Sequence, residues 1–285
     1  MAKTIGFIAD SAADIPQEVA QKHNITIVPL CSTVDDVTYR AGVDVTNEEY
    51  YDILANSKEF PTTSQPTAEQ YTEIYKEMLE KFDSVICVTI ASAASGTNSV
   101  ANIAAKEFVE NGADITVVDS AQLSFGIGVP VVDAVKLYAD GKSKEEIIQY
   151  LETVTRRDIP YFLLDDLTQL KKGGRIKASK AAIANLLDIK PILRISEGLT
   201  EAFDKVRGSK KSVLKLIEIM EEKGDNLSDK DVYVIHARGG EKLDLLVKLI
   251  EERIAPKSVT TLTVGPTIST HSGVGVVGVY FQHKV

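Results

Sequence analysis

Residues able to do chemistry cluster where the apolar run Val85-Ile86-Cys87-Val88-Thr89-Ile90 ends. Ser92, Ser95, Thr97, Asn98 and Ser99 follow with Gly96 among them, and an alanine-rich amphipathic stretch occupies residues 100–109. This order predicts a strand, a tight loop and a helix start. At such a start, unpaired N–H groups and the positive end of the helix dipole favour an anion. Ordinary capping by serine and asparagine accounts for the same residues. A second polar stretch, Pro61-Thr62-Thr63-Ser64-Gln65-Pro66, is bracketed by prolines and must be extended and stiff. It either caps a helix opening at Thr67 or offers neutral hydroxyl donors. Facing the Ser95 loop, it would hold a carboxylate through hydroxyls instead of a salt bridge.

Other chemistries find less support. His23, His236, His271 and His283 are scattered, none at ligand spacing from another His, Cys or carboxylate, which argues against a metal site. The turn after the first strand reads Asp10-Ser11-Ala12-Ala13-Asp14, not a glycine-rich dinucleotide turn, and no Walker-type phosphate loop is present. A serine hydrolase would use Ser95 with the late His271, but a nucleophile elbow needs glycine where this chain has Ala93.

The elements that must position these residues alternate between short apolar runs and helical patterns, the mark of a parallel α/β sheet. Strands are expected over residues 5–9, 25–30, 85–90 and 115–118. Capping boxes at Thr46 with Glu49, Thr67 with Gln70 and Ser143 with Glu146 mark helix starts. Asp10-Ser11, the Ser92 to Ser99 loop and Asp119-Ser120 each follow a strand, so polar groups gather at the carboxyl edge, where open α/β sheets bind ligands. Near residue 160 the rhythm changes. Strands are expected at 161–164, 232–236, 258–264 and 276–280, a helix at 179–187, and a hairpin around Ser196-Glu197-Gly198. Ser209 is expected to cap a long helix ending at Gly224, with a further helix over 242–254. The resulting division is 1–160 and 161–285.

With 285 residues, 44% of them hydrophobic, the chain is long enough for two domains. A net charge of −9 argues against nucleic acid as a partner. The charge is uneven: residues 165–215 carry twelve Lys or Arg against six Asp or Glu, a local +6 that leaves −15 elsewhere. That segment suits a partner surface or a phosphate, or is a set of solvated helix faces. Cys31 and Cys87 sit in apolar runs as small core residues, fitting a reducing cytoplasm. No apolar run approaches the roughly 18 residues of a membrane span, and no export signal is evident.

Taken in order, Asp10-Ser11 with Asp14, Thr63-Ser64-Gln65-Pro66, Ser92 with Ser95-Gly96-Thr97, Val118-Asp119-Ser120, residues 170–176 (Leu170-Lys171-Lys172-Gly173-Gly174-Arg175-Ile176), Ile189-Lys190-Pro191-Ile192, and Gly265-Pro266 with His271 resemble the DegV family over essentially the whole chain. Within it, the chain is similar to the fatty-acid-binding FakB type, a subunit of bacterial fatty acid kinase. The resemblance implies a two-domain fold, with a Rossmann-like parallel-sheet N-terminal domain and a smaller mixed α/β C-terminal domain enclosing one long-chain fatty acid. A separate ATP-dependent kinase subunit would phosphorylate the carboxylate to an acyl phosphate for phospholipid synthesis. This chain would then be a cytoplasmic carrier without a cofactor, not an enzyme, with no membrane span and at most transient membrane contact. Thr63, Ser95 and His271 would hold the carboxylate, with Ser64, Gly96, Thr97 and Ser120 neighbouring the pocket. Arg175 and Arg207 match exposed arginines associated with the kinase or the phosphorylated product. Two departures stand out: Gly273-Val274-Gly275 replaces Gly-Pro-Gly after His271, and Ala93-Ala94 replaces a glycine and a larger apolar residue. The alternative is a stand-alone hydrolase or transferase acting on a small acyl or sugar substrate.

Burying about fourteen methylenes at roughly 0.8 kcal/mol each would supply on the order of 11 kcal/mol, so the head group need not bind tightly. Tunnel walls are expected from the alanine-rich helix after Ser99 and from residues 181–187.

Overall fold

The computed structural model describes residues 4–177 and 189–285. Its first part comprises β1 (Ile5–Asp10), α1 (Gln17–Lys22), β2 (Ile25–Val28), β3 (Cys31–Val34), β4 (Val37–Arg40), α2 (Asn47–Ala55), β5 (Thr62–Ser64), α3 (Ala68–Leu79), β6 (Ser84–Thr89), α4 (Thr97–Glu110), β7 (Asp114–Asp119), α5 (Phe125–Ala139) and α6 (Lys144–Arg157). There follow β8 (Tyr161–Leu163), α7 (Thr168–Gly173), β9 (Ile189–Ser196), β10 (Leu199–Arg207), α8 (Ser209–Lys223), β11 (Asp231–His236), α9 (Gly240–Leu249), β12 (Ser258–Thr263), α10 (Pro266–Ser272) and β13 (Val277–Tyr280).

Four strands form a wholly parallel sheet in the order β2-β1-β6-β7. Because successive side chains point to opposite faces, β6 feeds two cores. Val85 and Cys87 join Tyr71, Tyr75 and Ala101 of α3 and α4, while Ile86 and Val88 join Ile127, Val131, Ile147 and Leu151 of α5 and α6. Burial on both faces explains why these strands read as continuous apolar runs. A second sheet of six strands runs β10-β9-β8-β13-β11-β12, antiparallel except between β11 and β12. Val213, Leu216, Ile217 and Leu246 of α8 and α9 cover one of its faces. The other face turns Phe162, Leu193, Ile195 and Ile235 toward Tyr51 of α2 and Phe125 of α5. The site lies there, between the second sheet and the carboxyl edge of the first.

All three expected capping boxes form, with hydrogen bonds in both directions. The β9–β10 hairpin closes through Glu197 and Gly198, both at positive φ, as a two-residue turn matched to strand twist requires. Other expectations are corrected. Gly208, at φ +90°, is the N-cap of α8, and Ser209 is its first helical residue with no capping bond from its side chain. Among the described residues, the alanine-rich helix α4 contributes none to the cavity described below; Ala101, Ala104 and Ala105 pack instead against the tyrosines of α3. The helix expected at 179–187 and the wall expected at 181–187 lie outside the described residues. The small antiparallel sheet β4-β3-β5 and the helix α5 were not legible beforehand. Among the described residues, no helix is long and apolar enough to cross a membrane, and no group of three or more His, Cys, Asp or Glu could hold a metal. Cys31 and Cys87 are both free thiols.

Candidate functional site

Between the two sheets lies a cavity of about 280 Å³. Its walls are apolar for most of their extent: Ile90, Leu123, Phe162, Ile195, Ile235 and Val276 contribute from both sheets and the segments joining them. Thr63, Ser64, Gln65, Ser95, Gly96, Arg175 and His271 also line it. Ser64, Gln65 and Gly96 are exposed, so this polar part reaches solvent.

Thr63 sits on β5, paired with Ser32 of β3. Its hydroxyl lies 2.9 Å from Nε2 of His271, a residue 208 positions away on α10. The juxtaposition is built by a short chain of contacts. Thr270 of α10 donates to Pro266 O at 2.7 Å and lies 2.6 Å from the Tyr50 hydroxyl and 3.3 Å from the Ser32 hydroxyl. The Tyr51 hydroxyl donates to Val264 O, just before the helix. Thus α10, encoded late in the chain, is fastened to α2 and β3, and β3 carries β5.

The Ser95 loop is shaped from beneath by carboxylates. Ile90 N donates to Asp10 Oδ2 at 2.6 Å, and the backbone N–H of Ser92 donates to Asp119 Oδ1 at 3.1 Å. The Ser92 hydroxyl also donates to Asp119, at 2.5 Å, and the residue is exposed outside the cavity. Ser95 alone among the loop serines reaches the cavity. Its Oγ accepts from Thr97 N at 3.3 Å and lies 2.8 Å from Thr97 Oγ1. Gly96 is the N-cap of α4, and Ser95 Oγ, one residue before it, accepts from the first helical N–H, so part of the serine capping considered from sequence is present while the same side chain lines the cavity. A Cβ at Gly96 would stand 2.1 Å from Gln65 Oε1, which is how closely the two polar stretches approach.

Arg175 follows the Gly173-Gly174 turn, where Gly174 takes φ +73°. Its Nε donates to Ala94 O at 3.0 Å and Nη1 donates to Gly173 O at 2.5 Å. It is half-buried in the cavity wall and not an outward-facing residue, because two backbone carbonyls draw the guanidinium inward. Arg207, at the end of β10, is exposed and does not line the cavity. Thr97 is buried beneath Ser95. Ser120 is buried in the turn after β7, where its Oγ accepts from Gln122 N at 3.1 Å, and it does not line the cavity.

Burial, with the Arg175 charge beside it, pushes the His271 imidazole down to about 4, so the ring is neutral near pH 7. Its Nδ1 is buried without a hydrogen-bond partner among the described residues, against Gly173. Ser95 and His271 do not bond one another; each hydroxyl or ring partner is a threonine. The hydroxyl that meets the imidazole is therefore that of Thr63, not that of Ser95.

Sequence reasoning missed two buried carboxylates as builders of the site. Asp14 Oδ1 accepts from Gly265 N at 2.8 Å and its Oδ2 accepts from Ser124 Oγ at 2.5 Å. Asp10, whose Oδ1 also accepts from Ala12 N at 3.0 Å, supports Ile90. Burial pushes both carboxyls up to about 7. The available signal was an acid ending an otherwise fully apolar, buried strand, with a second acid four residues on.

The family model described as "Uncharacterised protein, DegV family" matches residues 4–284. A DegV domain-containing protein of Caldanaerobacter subterraneus is 34% identical over 282 residues, 98% of this chain and 99% of its own length. A solved structure described as fatty acid binding of a DegV family protein from Thermus thermophilus matches with a TM-score of 0.90 at 30% identity, covering 99% of this chain and 100% of that one. Another, described as a stearic acid-binding protein from Eubacterium ventriosum, matches with a TM-score of 0.86 at 28% identity, covering 98% and 97%.

Proposed function

This chain belongs to the DegV family, and from that premise we propose that it is a cytoplasmic fatty-acid carrier: it buries the tail of one long-chain fatty acid in the apolar cavity and presents the carboxylate to a separate kinase subunit, which phosphorylates it from ATP. The observation that carries this reading is the hydroxyl and imidazole cluster of Thr63, Ser95 and His271 on an otherwise apolar cavity. Residues 1–160 and 161–285 are, in the same reading, the two domains that enclose the ligand.

The chemistry follows from the neutral histidine. With the proton on Nε2, His271 donates to Thr63 Oγ1, which frees the Thr63 hydroxyl proton for a carboxylate oxygen. Thr97 does the same for Ser95, through the backbone N–H and the hydroxyl that meet Ser95 Oγ. Both hydroxyls are then donors polarised from behind. Neutral donors fix a carboxylate in place without neutralising it, so it keeps more nucleophilic character than one held by a bidentate arginine. Arg175, held by two carbonyls at the cavity wall, supplies positive charge where phosphoryl oxygens would gather. Lys205, Arg207, Lys210 and Lys211 are exposed at the end of β10 and the start of α8, and this basic stretch is the surface we assign to the kinase subunit.

Mass spectrometry of an organic extract of the denatured protein tests the carrier role. A long-chain fatty acid in near-stoichiometric amount is expected. An empty extract, together with no binding of added oleate or palmitate, refutes it. Acyl phosphate should form from ATP only when a kinase subunit is added; formation by this chain alone refutes the division of labour.

A further inference from the structure

Asp14 is a buried carboxylate that no step above uses, and none of the ion pairs among the described residues includes it. It stands at φ +52°, just beyond the end of β1, and touches two other parts of the chain at once. One oxygen accepts from the backbone N–H of Gly265, the N-cap of α10, at 2.8 Å; the other accepts from the hydroxyl of Ser124, the N-cap of α5, at 2.5 Å. Ser124 N in turn donates to Ala12 O at 2.9 Å, so the Ser124 end is anchored to the first sheet independently. At the Gly265 end, Val264 N donates to His236 O at 3.0 Å and the Tyr51 hydroxyl donates to Val264 O, so Asp14 fixes Gly265 itself, one residue further along, against the Ser124 end. The contact is close: a Cβ on Gly265 would stand 2.8 Å from Asp14 Oδ1, so glycine is what lets α10 start there.

We propose that Asp14 is a positioning residue of the head-group site: by bonding Gly265 and Ser124 together, it sets the starting point of α10 and thereby the place of His271 against Thr63. His271 lies six residues beyond Gly265 on a single short helix, so a shift at the start of α10 is carried to the imidazole as a rigid movement. Ser124, Thr267 and Ile268 line the cavity, so the same two bonds also set the separation of its walls. A buried carboxyl without a cation is destabilising once ionised, and its two short bonds give in return a fixed geometry. This role rests on the fatty-acid reading for its consequence but not for its geometry.

The test compares Asp14→Ala, Asp14→Asn and Ser124→Ala with the wild type. The readouts are the ¹⁵N shifts of the His271 ring without ligand and the affinity for the fluorescent fatty acid cis-parinaric acid. Asp14→Ala should move the ring signals and weaken binding about tenfold, the scale of losing a hydrogen bond to a charged group. Asparagine can accept from Gly265 N and donate to Ser124 Oγ, so Asp14→Asn should restore both readouts, which a loss of stability alone would not predict. A folded Asp14→Ala protein with unchanged ring signals and affinity overturns the proposal, as does an Asp14→Asn protein no better than Asp14→Ala. Where Asp14→Ala does not fold, Ser124→Ala decides: shifted His271 signals support the proposal and unshifted ones overturn it. A wild type that binds no cis-parinaric acid refutes the fatty-acid reading, and the ring signals still decide the role of Asp14.

Discussion

Replacing Gly173 by alanine tests whether the place of His271 governs the head-group site. Gly173 is the last residue of α7 and has no positive φ, so alanine meets no backbone strain there and gains helix propensity of roughly 0.5–1 kcal/mol. The added methyl would stand 2.4 Å from His271 Nδ1 and 3.1 Å from Cε1. Relief to ordinary contact requires the ring to retreat by about 1 Å, away from α7. At 2.9 Å, the Thr63–His271 bond has no slack for that movement, so Thr63 loses its polarising partner or is displaced with it. Either way the Thr63 bond to the ligand carboxylate is lost, and a bond to a charged group is worth about 1.5–3 kcal/mol, or about 10- to 150-fold in affinity. Isothermal titration with oleate should show that loss while the melting temperature stays level or rises. The decisive comparison is a double-mutant cycle. If the methyl acts by pushing the ring, Gly173→Ala has little further effect once His271→Ala has removed the ring. Additive losses, or an unchanged affinity in Gly173→Ala alone, refute the reasoning.

Thr63→Val keeps the side-chain shape but leaves neither His271 nitrogen bonded, and Ser95→Ala removes the other polarised hydroxyl; each should lower oleate affinity about tenfold by titration. Arg175→Ala frees Ala94 O and Gly173 O, and so should weaken oleate binding as well as phosphorylation, whereas Arg207→Ala should slow the kinase-coupled reaction and leave oleate affinity unchanged. Asp14 has its carboxyl raised by burial to about 7, against about 4 in an unfolded chain, so its contribution to stability is fully present below about pH 4 and is lost as pH rises through about 7. The melting temperature of Asp14→Asn minus that of wild type should therefore grow across that window and level off above it; a flat difference would show that Asp14 ionises normally. His271 has the opposite sign. Its depressed value of about 4 favours the fold above about pH 6.5, and that advantage is lost as pH falls toward 4, with the ring ¹⁵N signals reporting a neutral imidazole until the pH nears 4.

Local rules carried the fold wherever they acted alone. The three capping boxes, the Glu197-Gly198 turn and the buried runs of the parallel sheet each depend on neighbours in sequence. The helix α5 was hidden because Gly126, Gly128 and Pro130 look like breakers. Its glycines serve packing instead: a Cβ at Gly128 would stand 2.3 Å from Ala13 O. The strands β3 and β4 are short and partly exposed, with too little apolar periodicity to stand out. At the site, the serine loop and the Thr63 segment were visible as polar runs. That His271 joins them was implied only by the family resemblance and by no local rule, because the Thr63–His271 contact spans more than two hundred residues. Arg175 and Arg207 looked alike in sequence; only the carbonyls of Ala94 and Gly173 separate them.

The late position of α10 also has a consequence in time. Synthesis proceeds from the N-terminus, and the parallel sheet with its helices, together with the Thr63 and Ser95 loops, leaves the ribosome long before residue 265 does. Until then the growing chain holds hydroxyls without the imidazole that polarises one of them, and the apolar wall lacks Val264, Ile268 and Val276. On the fatty-acid reading proposed above, a nascent chain lacks these parts of the site, and lipid capture would be the last event of maturation instead of a template for it.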